Sequence, residues 1–203
     1  FERNATTGTW SEAQKIVASD RDGNDFFGNS VSISGNYAIV GALNEGNSGT
    51  LSGGSGAAYL FERNTTTGTW SEVQKIVASD RASGDDFGES VSLSGDYAIV
   101  GALLEDEDAS GQNSLRDAGS AYLFERNANN GNWREVQKIV ASDRNLGDIF
   151  GKSVSISGDY AIVGAPYEKE DASGQNTKSR AGSAYIFEKG PSNNVAPDFT
   201  AQG

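Results

Sequence analysis

The stretch FGNSVSISGNYAIVGA, Phe27–Ala42, decides the fold, because it returns as FGESVSLSGDYAIVGA at Phe87–Ala102 and as FGKSVSISGDYAIVGA at Phe150–Ala165. The register around it is constant. Trp10, Trp70 and Trp133 each stand seventeen residues before the Phe of an FG pair, and each of these Phe residues stands fourteen before a Gly-Ala pair. A third block closes each unit: GAAYLFERN ends at Asn64, GSAYLFERN at Asn127 and GSAYIFEK at Lys189. Only the connection from Gly-Ala to the Tyr of this block changes length, eighteen residues in the first unit and twenty-one in the others. Fixed segments with one tolerant connection predict packed strands and one surface loop per unit.

Each fixed segment reads as a strand. In SVSIS, Val31 and Ile33 alternate with serines, a two-residue period. YAIVGA is nearly continuously apolar, as expected of a strand covered on both faces. AYLFER is aromatic-rich and turns polar at its end, and WSEVQKIVAS alternates as a half-buried strand does. Ser-Gly-Asn or Ser-Gly-Asp fills the first gap, and Thr-Gly or Asn-Gly precedes each Trp, which is turn chemistry. Strands are therefore expected near 30–34, 37–42, 57–63 and 70–78, with equivalents in the later units. Four antiparallel strands per repeat predict an all-β fold, a β-propeller of four-stranded blades with about three blades' worth of strands in this chain. Separate sandwiches would need more strands per unit, and a solenoid would have shorter coils.

Composition removes whole classes of chemistry. The 203 residues contain no Cys and no His, so a Ser-His-Asp triad, a Cys nucleophile and an ordinary zinc site are excluded. An enzyme built from this chain would have only carboxylates, Lys, Tyr or Ser. The net charge of −12, from 28 acidic and 16 basic residues, repels nucleic acid and anionic lipid. No apolar run is long enough to insert in a membrane as a helix. Neither nucleic acid nor membrane insertion is expected.

The pieces FG.SVSISG.YAIVGA and GSAYLFER resemble the FG-GAP repeat family, in the bacterial branch whose units also carry a Trp-bearing strand, and the resemblance covers residues 1–189. That family includes the propeller of integrin α subunits. The resemblance implies a non-enzymatic, extracellular or cell-surface protein, bacterial in source, that serves adhesion or ligand binding. Only the third unit spells GAP, at Gly164, Ala165 and Pro166; Leu43 and Leu103 stand in place of the proline. The integrin-type calcium loop has shrunk to SGN or SGD, leaving Asn36, Asp96 or Asp159 as its single side-chain candidate. Calcium takes about six to eight oxygens, so that metal site does not carry over.

Phe27, Phe87 and Phe150 are expected to pack between blades, with Gly28, Gly88 and Gly151 giving close backbone approach or a bulge. The tryptophans suit packing, with sugar stacking as the alternative. Asp20, Asp22, Asn24 and Asp25 cluster in the first pre-FG loop as a calcium candidate. The sister loops keep only Asp80 and Asp85, then Asp143 and Asp148, so the Asp before FG reads as a turn cap. No other cofactor is expected. The loops EDEDASGQNSLRDAG and EKEDASGQNTKSRAG present Glu105, Asp106, Asp108, Glu168, Glu170 and Asp171 as ligand-loop candidates, whereas the first unit has the Gly/Ser-rich Asn44–Gly56. Asn4 and Asn64 match the N-glycosylation acceptor pattern.

Laid out from FG, the blades run about 27–79, 87–142 and 150–189. The last is one Trp strand short, and a strand of the 1–19 type is left over at the start. Residues 190–203 read as a linker or tail. The expectation is a chain that self-associates by strand exchange or blade stacking, or an excerpt whose edges further repeats cover. The expected function is an adhesion, scaffolding or surface-assembly module working through protein–protein contacts, with a carbohydrate-binding lectin as the alternative and a carboxylate-dependent hydrolase behind both.

Overall fold

The computed structural model describes residues 1–46, 53–175, 177–190 and 199–201, all of them strand, turn or loop. A short hairpin pairs β1 (Glu2–Arg3) with β2 (Trp10–Ser11). Three four-stranded antiparallel blades follow. The first holds β3 (Val31–Ser34), β4 (Tyr37–Ala42), β5 (Ala57–Arg63) and β6 (Trp70–Ile76); the second holds β7 (Phe87–Ser94), β8 (Tyr97–Ala102), β9 (Ser120–Arg126) and β10 (Trp133–Ile139). The third holds β11 (Ser153–Ser157), β12 (Tyr160–Ala165), β13 (Ser183–Lys189) and β14 (Phe199–Ala201). In every blade sequence order is sheet order, and the blades do not close into a ring.

Repeated sequence becomes repeated register. Ile39 pairs with Leu60, Ile99 with Leu123 and Ile162 with Ile186, so each YAIVGA strand is the second of its blade. Its alternate residues then enter different cores. Ile39 joins Phe87, Val91, Leu93 and Trp133 of the second blade, whereas Val40 joins Tyr59, Phe61 and Ala18 on the other face. Ile99 likewise packs against Phe150, Ile156, Val163 and Phe199 of the third blade. A continuously apolar strand is what a sheet buried on both faces requires.

The strand ends differ from the sequence expectation in two places. At the start, only Trp10 and Ser11 of the 10–19 segment pair, and their partners are Arg3 and Glu2 of the same hairpin. At the end, the position beside Ala184–Lys189 is taken by this chain's own Phe199–Ala201, with Lys189 opposite Phe199 and Phe187 opposite Ala201. The 190–203 segment is thus not all linker: Phe199 is buried in the third blade's core, and its aromatic ring suits the place the tryptophans occupy in earlier units.

The FG pairs build the entry to the innermost strand. Gly28, Gly88 and Gly151 have φ of 95°, 96° and 90°, and the β7–β8 register slips between Phe87 and Ser90, a bulge. The residue before each FG is also left-handed, at Phe26, Asp86 and Ile149. Phe87 and Phe150 are fully buried, each edge-on to a Tyr and a Phe of its own blade at 5.5 Å and 6.1 Å.

Candidate functional site

The seams between blades consume most of the repeated polar residues. Inner-strand serines face the next blade: Ser30 donates to the Gly88 carbonyl at 2.7 Å, and Ser32 and Ser34 accept from the amides of Leu93 and Gly95. The second seam repeats this with Ser90, Ser92 and Ser94 against Gly151, Ile156 and Gly158. The backbones close in so far that a Cβ on Gly41 or Gly101 would lie 2.0 Å from the facing glycine carbonyl. Gly56 and Gly119 form parallel bridges to Phe87 and Phe150 of the following blade.

One glutamine holds the leading aromatic residue of each outer strand. Gln74 accepts from the Trp133 amide at 2.8 Å and donates to its carbonyl at 2.7 Å, as Gln14 does with Trp70. Gln137 binds both backbone groups of Phe199 in the same way, so Phe199 stands in the Trp position of the third blade. Tyr37 of the first blade lies edge-on to Trp133 at 6.0 Å, and Tyr97 to Phe199 at 6.4 Å. Glu135 takes both the amide and the hydroxyl of Ser79, and Glu72 does the same for Ser19.

A charged triad recurs in the first two blades. Lys75 bridges Asp20 and Glu45 at 2.7 Å each, and Lys138 bridges Asp80 and Glu105 at 2.7 and 2.8 Å. A tyrosine backs each ammonium, Tyr59 at 5.4 Å and Tyr122 at 5.6 Å from ring centre. These tyrosines donate to Asp20 and Asp80, and burial with that anionic neighbour raises both phenol pKa values. The hydrogen bond from Lys75 holds Asp20 below its ordinary pKa. Burial pushes Asp80 up, but the bonds from Lys138 and Tyr122 outweigh it and the net direction is down. In the third blade Tyr185 donates to Asp143, and Asp143, Glu168 and Glu170 bring ligand oxygens within 4.8 Å of one another. Among the described residues this is the group of acids placed to share a cation, and no lysine or arginine bridges it there.

The structure therefore separates the sequence candidates. Asp20 is engaged by Lys75 and Tyr59, while Asp25 accepts from the Asp22 amide and Asp22 from that of Gly23, so the first loop is tied by turn bonds. The Asn24 carbonyl accepts from Asn44. Asp20, Asp22 and Asp25 are not among the described acids whose ligand oxygens lie within 4.8 Å of one another. Asp85 and Asp148 repeat the Asp25 cap on Ala82 and Asn145. Burial pushes Asp85 up to about 6, and burial with the nearby Glu89 pushes Asp86 up to about 6.

The ligand-loop acids divide too. Glu105 is 1% exposed and holds Ser120 and Lys138, and Glu168 is buried against Ser183, so both anchor their loops from beneath. Asp106 accepts from the Asp117 amide. Asp108 and Asp171 each cap their own loop through Ser110 and Gln112, or Ser173 and Gln175. Hydrogen bonds from Ser110 and Asn113 hold Asp108 well below the usual carboxylate range. The Glu105–Gly119 loop is stitched to the next blade's pre-FG turn: Arg144 donates to the carbonyls of Asn113 and Asp106. Of the Gly/Ser-rich loop Asn44–Gly56, residues 47–52 lie outside the described residues. Asn4 and Asn64 cap exposed turns through Thr6 and Thr7, or Thr66 and Thr67.

Trp133 is 3% exposed and unavailable to a ligand, whereas Trp10 is 66% exposed. Trp70 is half-buried at one wall of a cleft of about 840 Å³ that Ile33, Asn36, Arg63 and Gln14 also line. The sequence flagged the tryptophans but missed the seam residues Gln14, Gln74 and Gln137, the serines and the Tyr–Asp pairs. Their signal was present, since each recurs at a fixed offset from Trp, FG or Gly-Ala.

Four-stranded antiparallel blades joined in tandem, each locked to the next through its inner strand, define a β-propeller type of repeat protein. The family model described as FG-GAP repeat matches residues 10–61, 70–124 and 133–187, and the chain belongs to that family. A search of curated proteins finds no match. FG-GAP repeats are generally extracellular protein–protein interaction or adhesion modules and are typically non-enzymatic. No helix of the described residues is long and apolar enough to cross a membrane.

Proposed function

We propose that this chain is an extracellular or cell-surface module, bacterial in source and without catalytic activity, that acts in adhesion, scaffolding or surface assembly through protein–protein contacts. One observation carries the reading. The residues that recur in all units are spent on holding blades together, and the surface left for recognition is the ordered acidic tips around Asp108–Asn113 and Asp171–Gln175. Rigid loops on a rigid scaffold bind with little loss of chain entropy. No metal is needed for this role. The test displays the protein on a cell surface and replaces both tips with Gly/Ser segments of equal length. Adhesion to protein-coated surfaces should fall at least tenfold with an unchanged melting curve. Equal adhesion by both forms would overturn the proposal.

The Trp70 cleft favours a second reading, a lectin, because a half-buried indole stands among Asn36, Arg63 and threonine hydroxyls. A glycan array would separate the two: binding abolished by Trp70→Ala supports the lectin, and an array with no binding excludes it.

A further inference from the structure

The two ends of the blade row are the two halves of one seam. The first blade presents Val31 and Ile33, 68% and 66% exposed, where the equivalent Val91, Leu93 and Ile156 are buried by the preceding blade. Trp70 borders an open cleft where Trp133 and Phe199 each receive a tyrosine ring. The third blade presents the complement. Tyr160, Ile162 and Ile186 are exposed, whereas Ile39, Leu60, Ile99 and Leu123 at the matching positions are fully buried by the following blade. Both halves already fit each other twice within the chain.

We propose that a second copy of this chain docks head to tail, its first blade stacking on the third blade of its neighbour through a third instance of the same seam. This names a partner for the surface-assembly reading above and rests on it. The internal seams specify the contacts. Ser153 donates to the Gly28 carbonyl of the incoming copy, and Ser155 and Ser157 accept from its Ile33 and Gly35 amides. Tyr160 enters the cleft beside Trp70. Gly164, whose Cβ position meets only Ser153, receives the close backbone approach that Gly41 and Gly101 already show.

The outer edge exchanges strands. Phe187-Glu188-Lys189 of β13 matches the incoming copy's own Phe1-Glu2-Arg3, so β13 replaces β1 beside Trp10 and Ser11, and the Phe199–Ala201 strand gives way. That placement brings Lys15, at the same offset from Trp10 as Lys75 from Trp70 and Lys138 from Trp133, to Asp143 and Glu168. The acidic group then holds the ammonium that its two sister sites hold. A contact using different faces on the two copies is heterologous, so it propagates until a ring closes or a filament grows.

The test uses two variants of the 203-residue chain. Val31→Asp with Ile33→Asp blocks the head, and Ile162→Asp with Ile186→Asp blocks the tail. All four sites are exposed, and Ser in place of Asp gives a milder second set. Sedimentation velocity from about 1 to 100 µM should show the unmodified chain growing in mass with concentration above 21.3 kDa. Each blocked variant alone should stay monomeric. Mixed one to one, they should form a heterodimer, because one good head and one good tail remain. A monomeric unmodified chain, self-association of either blocked variant, or the absence of a mixed dimer would overturn the proposal. The loop-replaced form should still assemble, so unchanged adhesion with intact assembly sinks only the loop reading, and adhesion lost on loop replacement while the unmodified chain stays monomeric sinks only this one.

Discussion

Substituting Gly101 by Ala places a methyl group in the second seam, and the cost can be worked from the contact it meets. Its Cβ would lie 2.0 Å from the Gly151 carbonyl oxygen and 2.4 Å from Ser90 Oγ. Ordinary contact needs about 3.5 Å, so the backbones must part by well over an ångström. Parting them stretches the Ser90–Gly151 bond, now 2.7 Å, and strains the bonds from Ser92 and Ser94 beyond it. Overpacking costs about 1–3 kcal/mol and the loss of one such hydrogen bond about 1 kcal/mol. The smaller chain entropy of unfolded Ala returns under about 1 kcal/mol. The net is about 3 kcal/mol, a fall in Tm of about 6–12 °C for a chain of this size. Gly164→Ala, measured where the chain is monomeric, is the internal control. Its Cβ meets the rotatable Ser153 Oγ at 2.5 Å and no backbone closer than 3.9 Å, so it should cost less than about 1 kcal/mol. Urea unfolding of both variants, with Gly41→Ala as the first-seam counterpart, reads the difference. If Gly101→Ala and Gly164→Ala agree within about 0.5 kcal/mol, the close approach does not hold the blades together.

Lys138→Met should destabilise by about 3–5 kcal/mol in the same assay, because it leaves the buried Glu105 carboxylate without its cation; a loss under about 1 kcal/mol would refute that. Stability should peak near about pH 4. Asp85 and Asp86 titrate at about 6 in the folded chain against an ordinary value of 3.8, so the native state binds more protons between those values and loses stability as pH rises through them. Asp20 and Asp80 are depressed, so their contribution is present above their ordinary value and is lost as pH falls through the folded one. Asp86→Asn should accordingly raise Tm at pH 7, by less at pH 5 and not at pH 3, as scanning calorimetry would show. Ile149 is β-branched at φ 59°, so Ile149→Asn should stabilise the chain by about 1 kcal/mol; unfolding at lower urea would contradict it. Exchanging chelator for millimolar calcium should move Tm by only a few degrees, since Lys75 and Tyr59 already occupy Asp20; a shift above about ten degrees would mean that Asp143, Glu168 and Glu170 hold an ion.

The blades were legible in the sequence because burial on two faces leaves a mark in a single strand: YAIVGA is apolar throughout, while SVSIS alternates. The partner of each face was not. Ser30, Ser32 and Ser34 sit on the side of β3 that a window reading assigns to solvent, yet each bonds the backbone of the next blade. Alternation reports that one face is polar and cannot report that the polarity is satisfied by protein. Glu105 and Glu168 misled for the same reason. An acid in a run of acids reads as surface, and its burial follows from Ser120, Ser183 and Lys138, which lie fifteen or more residues away. The tail shows where a signal existed. Phe199-Thr-Ala lacks the tryptophan that marks its sister strands, so it matches no repeat. Gln14, Gln74 and Gln137 nevertheless form a series, and the first two each require the two backbone groups of an outer-strand aromatic residue. A third glutamine in a half-buried strand needs a third such residue, and Phe199 is the one that supplies it. In a tandem fold a repeated polar residue specifies its neighbour's backbone, so the polar series foretells a strand even where the apolar pattern has lapsed.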